Sequence, residues 1–164
     1  FHYQFFTYIF ICTFGHKPNQ IMNQKPSNAF IGASWIALVA GMVGYLIGLW
    51  RSDMLLSEKG YYFTILMYGL FSVVSLQKAV RDRIEDVVVT DIYFGLAWFS
   101  SLLSIALLIV GLWNAELLPS EKGFYAFSFL LSLFAVITVQ KNTRDSQVYK
   151  KPDSRQIKAD YSGE

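Results

Sequence analysis

Four stretches of this chain, residues 29–50, 60–76, 92–113 and 123–139, contain no Asp, Glu, Lys, Arg or His. That pattern constrains the fold more than any motif does. Only 16% of the 164 residues are charged, against about 25% in an ordinary soluble domain, and the charge is bunched between the runs. At 1.5 Å per residue the two longer runs reach about 33 Å as helices, enough for a hydrocarbon core of about 30 Å. The two shorter runs reach only about 25 Å, and their flanks supply the rest. Tyr61 and Tyr62, or Phe124 and Tyr125, suit one headgroup level, while Lys78 and Arg81, or Lys141 and Arg144, snorkel to the other. A soluble bundle would need a polar face on at least one helix, and none of the runs has a charged one. The expectation is an all-α integral membrane protein with four transmembrane helices.

A shift of 63 residues lays "GLWRSDMLLSEKGYYFTILMYGLFSVVSLQKAVRD" (48–82) on "GLWNAELLPSEKGFYAFSFLLSLFAVITVQKNTRD" (111–145) without a gap, with 16 of 35 positions identical. Trp35 falls on Trp98. Two unrelated apolar helices would match Leu with Leu; they would not match Ser-Glu-Lys-Gly, Gln-Lys and Arg-Asp at fixed spacing. The chain is therefore an internal repeat of one helical hairpin. A hairpin crosses the membrane twice, so both copies enter from the same side. The copies are parallel repeats, related by an axis along the membrane normal. The organisation reads as an N-terminal extension (1–28), a first two-helix repeat (29–82), a linker (83–91), a second repeat (92–149) and a disordered polar tail (150–164).

Each repeated residue has a local task. Trp50 and Trp113 end the first helices at the level of an aromatic belt. In the connectors, Ser57, Glu58, Lys59 and Gly60 are matched by Ser120, Glu121, Lys122 and Gly123. The serines are expected as N-caps, the glutamates in the positive first turn, and the glycines where backbones approach closely. Lys78 with Asp82, and Lys141 with Asp145, share a helix face at i,i+4.

Positive charge gathers on one side. Lys78, Arg81 and Arg83 lie in the middle loop, and Lys141, Arg144, Lys150, Lys151, Arg155 and Lys158 follow the last run. The connectors hold Arg51, Lys59 and Lys122. The positive-inside rule then puts both termini and the middle loop in the cytoplasm. Residues 1–21 are apolar but too short to span and lack a signal peptide's charged region and cleavage site. They read as an upstream extension, truncated or mis-called, since Met22 opens a natural start; an interfacial helix is the alternative.

"SWIALVAGMVGYLIGLW", the paired "EKG" connectors and the paired "QKxxRD" helix ends resemble the YiaA/YiaB family of small bacterial inner-membrane proteins over roughly residues 29–148. The second connector, "GLWNAELL", is nearer the family pattern than the first, where Arg51 and Ser52 replace Asn and Ala. The resemblance implies an inner-membrane location and a two-helix domain present twice. It carries no catalytic residues over.

Chemistry is sparse. Cys12 is the single cysteine and both histidines, His2 and His16, lie in the N-terminal extension, so neither a disulfide nor a thiolate metal site is expected. No cofactor and no nucleic-acid partner is indicated. Small residues recur at matched positions of the first helices: Ser34/Ala97, Ala37/Ser100, Gly41/Ser104 and Gly48/Gly111. Their spacing puts them on one face, read as a close contact among the four helices, with a homo-oligomer contact as the alternative. The second helices keep Gly69/Ser132 and Ser72/Ala135, and Gly44-x-x-x-Gly48 is a weaker contact motif.

Two charged sets are candidate sites. Asp53, Glu58, Glu116 and Glu121 share one surface, where they serve as helix-start acids or as oxygen ligands for Ca²⁺ or Mg²⁺. Lys78, Arg81, Lys141 and Arg144 form a cationic set that sets topology or binds an anionic phospholipid. Three function classes follow. The leading one is a non-enzymatic membrane protein acting on itself, partner proteins or lipid. A transporter is disfavoured because the spans lack ionisable groups, although an uncharged solute stays open. An interfacial enzyme would have to build its site from the carboxylates alone.

The orientation is testable. Alkaline phosphatase fused after Glu58 or Glu121 should be active, and after Arg83 or Arg144 inactive. The reverse pattern would invert the topology.

Overall fold

A computed structural model describes residues 26–150, with side chains to residue 147. The readings of residues 1–21 and of the tail fall outside the described residues. Four helices account for almost all of the rest: α1 (Asn28–Arg51), α2 (Leu56–Ile84), α3 (Asp91–Asn114) and α4 (Pro119–Lys150). All four are long and apolar enough to cross a membrane, and the described residues contain no strand.

The helix boundaries have local causes. Ser27 caps α1, its Oγ accepting the Phe30 N–H at 3.2 Å. At the other end Ser52 is extended and its N–H bonds back to Gly48 C=O. The starts of α2 and α4 correct the expected caps. Leu55, not Ser57, is the N-cap of α2, and Pro119 is already the first residue of α4, so Ser57 and Ser120 both stand inside their helices. Glu58 reaches back to the Leu55 N–H at 2.9 Å, and Glu121 to the Leu118 N–H at 3.0 Å. Proline suits a first helical position because its missing N–H needs no partner there. The glutamates thus do the capping expected of the serines. Gly60 and Gly123 also differ from expectation: a side chain at either would meet nothing within 4 Å.

At its far end α2 runs through Lys78 and Arg81 to Ile84, which supplies the length its uncharged run lacks. It stops in a Schellman turn. Asp86 adopts φ 55°, and Val87 N–H bonds to Asp82 C=O at 2.8 Å.

The packing order is not the chain order. α1 lies mainly against α4, and α2 against α3, while α2 and α4 meet each other at the centre. The two helices of the first hairpin touch only lightly, and those of the second make no substantial contact among the described residues. Each hairpin therefore buries its first helix against the second helix of the other repeat. The shared core runs from Tyr45 and Leu49 of α1 through Ile65, Leu66 and Val73 of α2, Leu108 and Leu112 of α3, to Phe129, Leu133 and Ile137 of α4. A smaller cluster of Leu38, Ala135 and Val139 continues the α1–α4 seam. The outward faces are equally apolar: Ile36, Val39, Val43 and Ile47 on α1, and Leu96, Phe99, Leu102 and Ile109 on α3, are all exposed. Such a surface is stable against lipid tails and not against water.

The small faces meet these seams. Ser34, Gly41, Ala97 and Ser104 are buried, and Ala37, Gly48, Ser100 and Gly111 are half-buried. At Gly41 an added Cβ would stand 2.6 Å from Ser132 Oγ and 3.0 Å from the Ser132 backbone nitrogen. At Gly48 it would meet Phe124 at 2.9 Å, and at the equivalent Gly111 it would meet Tyr61 at 2.8 Å. Gly44 faces the same helix with more room, 3.7 Å from Phe124. Gly69 sits where Phe129 crosses from α4, at 2.7 Å.

Enlarging Gly41 must push α1 off the α4 backbone. Gly41→Leu and Ser104→Leu should each lower the unfolding stability of the detergent-purified protein by about 1–3 kcal/mol. Gly95→Ala, in open space, and Ile109→Ala, on the exposed face, should change it little. Equal melting of all four variants would place the small face toward lipid.

Candidate functional site

Polar groups collect at the two ends of the bundle. At the connector end the carboxylates Asp53, Glu58, Glu116 and Glu121 all line one open cavity of about 940 Å³, floored by Tyr61, Tyr62 and Gly111. The four acids matched by the repeat thus do share a space. They do not form a metal centre: among the described residues no three His, Cys, Asp or Glu side chains gather closely enough to hold an ion. Glu58 and Glu121 are already engaged as helix caps. A second, smaller opening of about 290 Å³ lies between the end of α1 and the start of α4, lined by Arg51, Ser120 and Glu121 among others. Lys59 donates to the Trp50 C=O at 3.2 Å, which ties the connector to the end of α1. Trp50 and Trp113, at the same end, are more than 80% exposed, as belt residues must be.

The floor belongs to a tyrosine cluster, which corrects the expected headgroup placement of Tyr62 and Tyr125: both are 3% exposed and face the core. Tyr45 is fully buried, and its hydroxyl donates to Tyr62 C=O at 3.1 Å, crossing from α1 to α2. Its ring meets Tyr125 edge-on at 5.4 Å, and Tyr125 stacks on Tyr62 at 6.0 Å. Tyr61 donates to Leu107 C=O at 2.9 Å, joining α2 to α3. The matched pair Tyr62/Tyr125 was a visible signal, since both repeats keep it. Tyr45 was not, because its counterpart is Leu108.

At the loop end the cationic set divides. Arg81 pairs with Asp82 at 3.0 Å and approaches Glu85 at 3.7 Å, and Arg144 pairs with Glu85 at 3.0 Å and Asp145 at 3.2 Å. The salt bridges of Asp82 and Asp145 therefore go to the arginines, which corrects the expected pairing with Lys78 and Lys141. A planar guanidinium one residue away offers two donors at once, which an ammonium four residues away does not. Glu85 joins both arginines and so clamps α2 to α4. Three carboxylates face two guanidiniums in this group, leaving the exposed Lys78 and Lys141 as its outward cations. Arg83 contacts Asp91 and lies 4.0 Å over the Phe94 ring.

One more polar contact lies buried near this end. Asn142, 2% exposed, donates from Nδ2 to Ser34 Oγ at 3.1 Å, and Ser34 donates on to Ile31 C=O at 2.7 Å. Gln77 donates to Ile137 C=O at 3.3 Å. Asn142 was missed because it breaks the repeat; Ala79 stands at its counterpart.

The tyrosine bond has a measurable weight. Tyr45→Phe should cost about 0.5–1.5 kcal/mol in chemical unfolding, and Tyr45→Ala about 3–5 kcal/mol from the void it leaves. An unchanged midpoint for Tyr45→Ala would mean that the cluster does not hold α1.

Comparison with known proteins agrees with the repeated pair of helices. The yiaA/B two helix domain matches twice, at residues 30–82 and 93–145. The chain is 50% identical over 144 residues to "Inner membrane protein YiaA" of Escherichia coli (strain K12), covering 88% of this chain and 98% of that protein. It is 32% identical over 99 residues to "Inner membrane protein YiaB" of the same organism, covering 60% and 84%. "Uncharacterized membrane protein YubF" of Bacillus subtilis (strain 168) is 36% identical over 68 residues, 41% of this chain and 78% of that one. No solved structure matches.

Proposed function

Because the chain belongs to the yiaA/B two-helix domain family, with the domain present twice, we propose that it is a non-enzymatic multi-pass protein of the bacterial inner membrane. It acts by associating with itself, with partner proteins or with anionic lipid. Both termini and the loop at residues 85–90 face the cytoplasm in this reading, which brings Lys78 and Lys141 to the anionic leaflet.

The observation that carries the proposal is the use made of the polar groups. Glu58 and Glu121 cap helices; Glu85 holds Arg81 and Arg144; Tyr45, Tyr61 and Asn142 each bond one helix to another. Groups so engaged serve architecture. The two remaining connector carboxylates, Asp53 and Glu116, line the cavity with no His or Cys among the described residues to share proton transfer with them.

A second reading, passage of an uncharged solute, draws on the cavity at the connector end, which reaches inward to Tyr62 and Gly111. Reconstitution separates the two. Proteoliposomes containing the protein should take up glycerol and neutral sugars no faster than protein-free vesicles. Crosslinking in native membranes followed by purification should recover a discrete protein–protein or homo-oligomeric species. Saturable solute uptake would favour the transporter instead.

A further inference from the structure

The repeat makes α2 and α4 near-equivalent surfaces, so α1 has two similar helices to choose between. α2 follows it after a connector of only residues 52–55, yet α1 packs on α4. We infer that the Ser34–Asn142 hydrogen bond is a pairing key that assigns α1 to α4, and thereby holds the two hairpins in their exchanged arrangement.

The 63-residue shift turns Ser34 into Ala97 and Asn142 into Ala79. In the arrangement observed, polar meets polar on the α1–α4 seam, and the corresponding α2–α3 positions are alanine and alanine. All four residues are buried. If each hairpin instead closed on itself through the same faces, Ser34 would oppose Ala79 and Asn142 would oppose Ala97. The asparagine amide would then be buried in an apolar seam without its serine, which is costly where no water can replace the partner. A single buried asparagine fixes partner choice in coiled coils by the same physics.

Side-chain size points the same way, independently of hydrogen bonding. Gly41 packs on Ser132, and the shift matches this pair with Ser104 and Gly69. Glycine thus opposes serine in the α1–α4 seam, while Gly69 accommodates Phe129 of α4. If α1 packed on α2 in the same register, Gly41 would stand against Gly69 and leave the point of closest approach underfilled.

The test uses the full-length chain in native membranes, with Cys12→Ser as background. Gly44→Cys with Ser128→Cys reports the α1–α4 seam, since a Cβ at Gly44 lies 3.8 Å from Ser128 Oγ. Gly44→Cys with Ile65→Cys reports the same register on α2. The background should form the first disulfide in large excess. Adding Ala79→Asn with Ala97→Ser gives both seams a polar pair in either arrangement and so removes the key without orphaning any amide. The ratio of the 44–65 to the 44–128 disulfide should then rise about three- to thirtyfold, the range that membrane interhelical hydrogen bonds span. Moving the asparagine, by Asn142→Ala with Ala79→Asn, should raise it further. An unchanged ratio in both variants overturns the inference, and a rise in the first variant alone supports it even if the second fails to insert.

Discussion

Between helices in a bilayer there is no hydrophobic drive, because lipid tails solvate an apolar side chain as well as a neighbouring helix does. Association has to come from dispersion and hydrogen bonding, and both fall away quickly with distance. The approach of Gly41 to the Ser132 backbone is therefore the contact on which the other features of this bundle rest. With α1 that close to α4, Tyr45 can fill the space beside Phe129 and Tyr125, and Asn142 can reach Ser34. Were α1 an ångström further out, the tyrosine ring would lose its edge contact and the amide its partner. Small residues on one helix thus license large residues on the next.

The same reasoning explains what the sequence made legible. Span number, the repeat and the small faces are properties of one helix at a time, and periodicity reports them directly. Packing order is a property of pairs. Sixteen identities in 35 positions make the two candidate pairs look alike, and a short connector suggests the wrong one. The information lies where the repeats differ, at Asn142 against Ala79 and Tyr45 against Leu108, whereas periodicity and self-similarity report only where they agree. The capping serines failed for a smaller reason. Ser57 and Ser120 have the right chemistry, but Pro119 and the back-reaching glutamates start the helices earlier. The four acids of the connectors were correctly placed on one surface, but two of them were already occupied as caps.

The charged end has a similar economy. Arg81 and Arg144 are related by the repeat, so an apolar bundle brings two like charges toward its own axis. Asp82 and Asp145 give each arginine a counter-charge from its own repeat; Glu85, with Val148 at its equivalent, is the one departure from symmetry, and it reaches both arginines. Exposed ion pairs are weak, and the geometric consequence matters more than the energy: the ends of α2 and α4 are fixed to each other, while Lys78 and Lys141 stay outside the pair. Symmetry builds the scaffold, and its exceptions decide how the scaffold is assembled.

Exchange between hairpins also sets a timetable for biogenesis. Ser34 and Asn142 are 108 residues apart, and a ribosome working at about 5–20 residues per second separates them by roughly 5–20 s. Throughout that interval α1 stands in lipid without its mate, while α2 and α3 become free to meet. Ser34 tolerates the wait because its hydroxyl has a partner on its own helix, the Ile31 carbonyl. An asparagine amide carries two N–H donors and an acceptor, more than one carbonyl of its own helix can satisfy. The polar side chain that needs a neighbour is carried on α4, which arrives when that neighbour is already in place.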